Sequence, residues 1–272
     1  MPGVDRSLSV LAPALAEIVR AAGDVALKTF RQPLRQWIKG ESSPVSEADI
    51  AVNDFLRERL HALAGDALAG DYGWLSEENE DDPARLEAAN VWIVDPIDGT
   101  RAYLAGQDDW TISVALAARG RPTIGAVFAP VSQELFLAVA GGGATRNGVP
   151  IAASTGHDMT GAKVVGPKRH INWLASLNAN AMLVPRIGSI ALRLARVAQG
   201  VLDVAFAGGN SHDWDLAAAD LLVHEAGGAL TAITGEALTY NSSELVHGAL
   251  LAAGQERHAA LVSLVRNHPE LA

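Results

Sequence analysis

Val91-Trp92-Ile93-Val94-Asp95-Pro96-Ile97-Asp98-Gly99-Thr100 is the stretch on which the reading of this chain turns. Its four apolar residues, Val91 to Val94, predict a short buried strand. The strand is expected to end at Asp95-Pro96, because proline has no N–H to give a central ladder. Gly99 then frees the backbone, and Thr100 opens a short helix expected to stop near Gly106. A buried strand that passes at once into a helix belongs to an α/β architecture. The turn between them has its own chemistry. Asp95 and Asp98 are close enough in sequence to converge on one point, and the N–H groups at the helix start aim at the same place. Mg²⁺ takes one or two carboxylates and completes its octahedron with water and phosphate oxygens. In isolation D-P-I-D-G-T reads equally well as an ordinary capped turn.

Moving outward, Trp74-Leu75-Ser76-Glu77-Glu78 predicts a second short strand that ends in carboxylates, while the acids running on to Asp82 read as a solvated loop. Ser46, followed by Glu47 and Asp49, marks a helix start, with Val52, Phe55, Leu56 and Leu60 as its apolar face. Leu11, Leu15, Ile18, Ala22 and Val25 recur at helical steps and predict an N-terminal amphipathic helix. On the other side, residues 110–117, 123–129 and 134–139 read as strands, and Asn147-Gly148 as a hairpin turn. Gly141-Gly142-Gly143 lacks the Lys-Ser/Thr of a phosphate loop and belongs with that hairpin. A strand at Val164-Val165 and two helical stretches follow. Trp214-Asp215-Leu216-Ala217-Ala218-Ala219-Asp220 then opens a helix that stops at Gly227-Gly228. Asp215, in its first turn, either answers the helix dipole or projects as a further ligand. The expected division is an N-terminal α+β half, 1–155, and a C-terminal α/β half, 156–272. No proline-rich or charged hinge separates them, so they are expected to pack tightly.

Composition narrows the chemistry. The 272 residues carry 21 basic and 31 acidic side chains, a net charge of −10, which argues against a nucleic-acid polymer as partner. With 49% hydrophobic and 19% charged residues the chain folds rather than remaining a polyelectrolyte. The absence of cysteine removes thiolate metal sites and thiol nucleophiles. The eight histidines show no zinc-binding spacing. No apolar run is long enough to span a membrane, and Pro13, Glu17 and Arg20 interrupt the stretch that resembles a signal peptide; a cytoplasmic protein is expected. Asn241-Ser242-Ser243 has the form of a glycosylation sequon without a secretory route to use it.

Taken together, the Glu77-Glu78 pair, D-P-I-D-G-T and W-D-L-A-A-A-D-L-L-V-H-E-A-G-G resemble the inositol monophosphatase superfamily of metal-dependent phosphatases. The resemblance runs in order from about Ser43 to Gly228, and Ser43-Pro44-Val45-Ser46-Glu47-Ala48-Asp49 matches the segment ahead of the family's metal-linked aspartate. It implies a layered αβαβα sandwich, with an antiparallel sheet in the first half, a smaller mixed sheet in the second and the metal site between them. It further implies two or three Mg²⁺ ions held by Glu77, Asp95, the Ile97 carbonyl, Asp98 and Asp215. Gly99 and Thr100 would hold phosphate through main-chain N–H groups, and Thr100, Asp49 and Glu77 would position and deprotonate the attacking water. Direct in-line attack by water is the expected route, and a homodimer the expected assembly.

The substrate side is read from fewer residues. Inositol-specific members usually follow D-G-T with one residue and then Asn-Phe, where this chain has Arg101-Ala102-Tyr103. They also tend to carry a glutamate shortly before the W-D pair, where this chain has Ala207-Gly208-Gly209-Asn210-Ser211. A basic residue after D-G-T resembles the 3′(2′),5′-bisphosphate nucleotidase branch, which converts 3′-phosphoadenosine 5′-phosphate to AMP and phosphate. Gly208 would leave room for a nucleoside, and His212 would stand at the substrate lip. Inositol-1-phosphate phosphatase is the next expectation and histidinol phosphatase the third. A non-catalytic metal- or phosphate-binding protein on the same fold would be expected to have lost a ligand or Thr100. Lys39 is read at the site mouth. Lys163, Lys168 and Arg169 read as solvated, with contact to a second phosphate as the other reading.

Overall fold

The structure, a computed structural model, describes residues 6–40, 43–67, 71–177, 179–266 and 268. In chain order the first elements are α1 (Arg6–Leu27), the hairpin strands β1 (Gln36–Lys39) and β2 (Ser43–Ser46), α2 (Glu47–Ala67) and β3 (Gly73–Ser76). A 3₁₀ turn at Pro83–Glu87 leads to β4 (Asn90–Asp98), α3 (Thr100–Leu104), β5 (Thr111–Ala118), β6 (Arg121–Ala129), β7 (Glu134–Val139), β8 (Gly143–Arg146) and β9 (Val149–Pro150). There follow β10 (Lys163–Val165), α4 (Lys168–Ser176), β11 (Met182–Leu183), α5 (Ile190–Ala198), β12 (Val204–Ala207) and β13 (Ser211–His212). The last are α6 (Asp213–Glu225), β14 (Gly228–Ala232), β15 (Val246–His247), β16 (Leu250–Gly254) and α7 (Gln255–Val265).

Strand alternation sorts these elements into five layers. In the large sheet, ordered β3 to β9, Val114, Leu116, Ala126 and Phe128 face α1 and α2. Ala115, Ala117 and Val127, one residue out of phase, face α5 and α6. The other side of α5 and α6 rests on the second sheet, ordered β11-β10-β12-β16-β14, through Ala205, Leu250 and Ala252. Trp173 of α4 and Leu261 of α7 close the far face over Val164, Phe206 and Leu251. This is the αβαβα sandwich that the motifs implied. Among the described residues no helix is long and apolar enough to cross a membrane.

Three details differ from the sequence reading. The large sheet is not wholly antiparallel, since β3 pairs parallel with β4. The buried stripe of α1 runs through Leu11, Leu15, Val19, Ala22 and Ala26, with Ile18 and Val25 only half-buried at its margin. And β4 does not end at Asp95-Pro96: it runs to Asp98 through a register shift, with Asp95 opposite Ser113 and Asp98 opposite Thr111. Pro96 is tolerated because β3 stops at Ser76, opposite Val94, so nothing pairs on that flank beyond it.

The position of α6 decides where the chemistry sits. A Cβ at Gly125 would lie 2.6 Å from the Ala218 carbonyl oxygen, so the helix backbone lies directly on β6. Ala217-Ala218-Ala219 and the facing alanines of β5 are the small residues that such an approach requires. Farther along α6, the Tyr240 hydroxyl donates to buried Asp220 (3.0 Å), and burial raises the Asp220 carboxyl to about 6. The folded chain therefore holds a proton there between about pH 4 and 6 that the unfolded chain has released, so stability falls as pH rises through this window. The cost at pH 7 is on the order of 3 kcal/mol. Asp220→Asn should accordingly melt above wild type at pH 7.5 and together with it near pH 4. Equal melting temperatures at both pH values would refute the assignment.

Candidate active site

The bulge at the end of β4 turns Asp95 and Asp98 toward one point, and α6 brings Asp215 to meet them. One carboxylate oxygen from each of the three lies within 4.8 Å of the other two. Each carboxylate is fixed from behind. Ile97 N–H donates to Asp95 Oδ1 (3.1 Å), and His212 N–H donates to Asp215 Oδ2 (2.7 Å), the capping interaction of α6. Asp98 sits at the N-terminus of α5, accepting from Ser189 Oγ (2.5 Å), Ile190 N–H (3.2 Å) and Ala191 N–H (2.6 Å).

The electrostatics are those of a site built for a cation. Burial, then the charges of Glu77, Asp98, Asp215 and Asp49, raise Asp95 well above the ordinary carboxylate range. Burial and Asp98 do the same to Asp215. Glu77, at the end of β3, is pushed up to about 7 by burial and by the charges of Glu78 and Asp49. Buried like charges at this spacing are tolerated when protons or cations neutralise them. With no cysteine in the chain and only carboxylates converging, the donor set fits a hard divalent ion such as Mg²⁺.

Asp49, buried at the start of α2, accepts from Ser46 N–H (2.7 Å) and Ser46 Oγ (2.6 Å). The Thr100 hydroxyl lies 3.1 Å from both Asp49 Oδ1 and the Ile97 carbonyl oxygen, and its single proton serves one of them at a time. Gly99 takes φ +95°, and a Cβ there would press on the Ser189 backbone nitrogen at 3.2 Å. The five-residue α3 thus starts against α5 from the other half of the chain.

Glu77, Asp95, Ile97, Asp98, Gly99, Thr100 and Asp215 line a cleft of about 740 Å³, while Asp49 is buried behind Thr100 and outside that lining. Lys39, at the tip of the β1–β2 hairpin, reaches over the Glu77-Glu78 turn, donating to the Glu77 carbonyl and pairing with Glu78 at 3.6 Å. His212 lines the cleft with its ring stacked on Trp214 at 4.6 Å, and burial lowers its pKa, which favours the neutral ring. Gly208 is not among the lining residues; Asn210 takes that place. Lys163, Lys168 and Arg169 are exposed and also outside the lining, as the solvated reading expects. The backbone N–H groups of Gly141 and Gly143 do bind an anion, but it is the chain's own Glu225 carboxylate.

Sequence reading missed Ser189, Arg186 and Asp109. Ser189 directly precedes the periodic run Ile190-Ala191-Leu192-Arg193, a helix-cap signal that was available. Arg186 and Asp109 line the cleft but lie on connecting segments without local pattern.

The profile of the inositol monophosphatase family matches residues 7–270. The chain belongs to that family. Like other inositol monophosphatase family members it is a metal-dependent phosphatase. The inositol-1-monophosphatase of Rhizobium meliloti is 34% identical over 251 residues, covering 88% of this chain and 92% of its own. The 3′(2′),5′-bisphosphate nucleotidase CysQ of Aggregatibacter actinomycetemcomitans is 30% identical over 238 residues, covering 84% and 86%. Among solved structures, the extragenic suppressor protein SuhB of Bartonella henselae superposes with a TM-score of 0.81 at 26% identity, over 95% of this chain and 99% of that one.

Proposed function

We propose that this phosphatase hydrolyses a small phosphate monoester carrying a second anionic group, with a 3′(2′),5′-bisphosphate nucleotide as the best-fitting class. The observation that carries this reading is the charge of the cleft: Lys39, Arg101 and Arg186 line the same cavity as the carboxylates. A single phosphate drawn to the metal site leaves the Arg186 guanidinium at the rim to meet a second anion. The segment ahead of Trp214 also offers Asn210 rather than the glutamate that inositol-specific relatives tend to carry. Inositol 1-phosphate is the second reading, favoured by Asp109, whose carboxylate lines the cleft where sugar hydroxyls would need an acceptor.

In this mechanism Glu77, Asp95, the Ile97 carbonyl, Asp98 and Asp215 would hold the Mg²⁺ ions, two or three in number. Bound there, the ions would acidify water, neutralise the phosphate and stabilise the leaving alkoxide. The protein's own part is placement and proton transfer. Gly99 and Thr100 present main-chain N–H groups to the phosphate oxygens. Thr100 Oγ1 takes a proton from the attacking water while passing its own to Asp49 Oδ1, 3.1 Å away. Glu77, at the end of β3 beside the cluster, orients the same water. His212 and its stacked Trp214 form one wall for the leaving group.

Arg186→Ala separates the two substrate classes. Its kcat/KM for 3′-phosphoadenosine 5′-phosphate should fall about 10-fold or more, the scale of a lost charge-assisted contact, while that for p-nitrophenyl phosphate holds. A wild-type enzyme that prefers inositol 1-phosphate, with Arg186→Ala neutral on both, would replace the first reading by the second.

A further inference from the structure

The two parts of the carboxylate cluster reach the site from the two halves of the chain, and a polar network, buried at Arg85 and Asp213 and open to solvent at Asp81, ties them together behind it. It begins four residues beyond Glu77. Arg85 in the 3₁₀ turn is 2% exposed and grips Asp81 with two bonds, Nε to Oδ1 (2.5 Å) and Nη2 to Oδ2 (2.9 Å). Gly73 at the start of β3 makes room for this, since a Cβ there would lie 2.9 Å from Arg85 Cα.

The rest of the guanidinium crosses to the other half of the molecule. Arg85 Nη1 donates to Asn241 Oδ1 (2.6 Å) and Nη2 to the Ser242 carbonyl (3.1 Å), while Asn241 Nδ2 donates back to the Arg85 carbonyl (3.2 Å). Asn241 N–H in turn donates to Asp213 Oδ2 (2.7 Å). Asp213 is fully buried, is the first residue of α6, and has its other oxygen 2.7 Å from His247 Nε2. Two residues on is Asp215.

We infer that Arg85 and Asn241 are positioning residues that set the separation between the Glu77 turn and Asp215, and through it the affinity of the site for Mg²⁺. The inference rests on the metal reading of the carboxylate cluster. The physical case is that a planar guanidinium with its donors committed to both sides transmits little slack. Asn241 also sits at φ +55°, in the left-handed region that asparagine adopts more readily than most residues. The bonds of Arg85 and Asn241 go to Asp81, Ser242, Asp213 and each other rather than to the oxygens of Asp95, Asp98 or Asp215, so their loss acts by loosening geometry. Outer groups that orient metal ligands typically change affinity about 10- to 100-fold when removed.

The test is titration of the metal-free protein with Mg²⁺ by calorimetry, alongside Tm in EDTA and kcat at saturating Mg²⁺. Arg85→Met removes the donors at similar bulk, and Asn241→Gly removes the side chain while keeping the left-handed backbone accessible. Both variants should raise the Mg²⁺ Kd about 10-fold or more, recover most of kcat when Mg²⁺ is saturating, and together do little more than either alone. Arg257→Met is the comparison, because this similarly buried arginine bonds Asp158, Ser154 and Thr155 and pairs with Asp203 at 3.6 Å, all of them outside the cleft lining. It should lower Tm without moving the Kd. A lowered Tm with unchanged Mg²⁺ affinity in Asn241→Gly overturns the inference, even if Arg85→Met fails to fold. A wild-type protein that binds no Mg²⁺ instead overturns the metal reading beneath it.

Discussion

Asp95→Asn removes turnover of phosphate esters, by about 10³-fold or more, and at the same time makes the metal-free protein more stable at neutral pH. The first effect follows from losing a ligand and the charge that opposes the cation, on the scale of a deleted transition-state contact. The second follows from the position of the Asp95 carboxyl, buried among Glu77, Asp98, Asp215 and Asp49 with its pKa pushed well up. At neutral pH without metal the folded chain must ionise that group against its neighbours or hold a proton that the unfolded chain releases; either way folding is opposed. Asparagine keeps an oxygen for the Ile97 N–H and removes the charge. In EDTA at pH 7.5 the variant should therefore melt above wild type, and in saturating Mg²⁺ below it. If wild type melts higher in EDTA as well, the carboxylates are not in conflict and the cluster has been misread.

Chelation has the second large effect. In excess EDTA the wild-type enzyme should lose its phosphatase activity entirely, and Mg²⁺ should restore it. Mg²⁺ at about 100 times its Kd stabilises the folded state by about 2.7 kcal/mol, and for a chain of this size that raises Tm by about 5 °C. The gain should grow with pH. Glu77, raised to about 7 from the ordinary 4.5, binds a proton in the folded state across that interval, and Mg²⁺ must displace it. Thermal shift at pH 5.5 and pH 8 reads this directly: the Mg²⁺-induced rise should be larger at pH 8. Undiminished turnover in EDTA would end the metal mechanism.

The groups most legible in the sequence were those whose placement is local. Glu77, Asp95, Asp98, Thr100 and Asp215 each lie where a strong strand or helix pattern begins or ends, so the pattern itself points at them. The same periodicity gave the alternation of helices and strands; the five layers were implied by the family resemblance that the motifs carry. What escaped was decided by distant packing. Whether β4 can run on through Pro96 depends on where β3 ends, and nothing local reports that. Ser189 caps a helix legibly, but that its hydroxyl also holds Asp98 depends on the second half folding against the first. Arg85 was hidden by its company: it follows a run of acids that reads as a solvated loop, yet it is among the most buried side chains in the molecule.

The cleft has a floor and a rim of different construction. Its carboxylates come from the end of a sheet strand and from a helix pressed onto that sheet, where Gly125 leaves no room for drift. Lys39 and Arg186, by contrast, ride on a projecting hairpin and on the segment between β11 and α5. Mutation can therefore explore the rim at little risk to the floor. A lineage built this way changes its diet more readily than its chemistry, and a chain with relatives named for inositol phosphate and for a bisphosphate nucleotide is what such a lineage would leave behind.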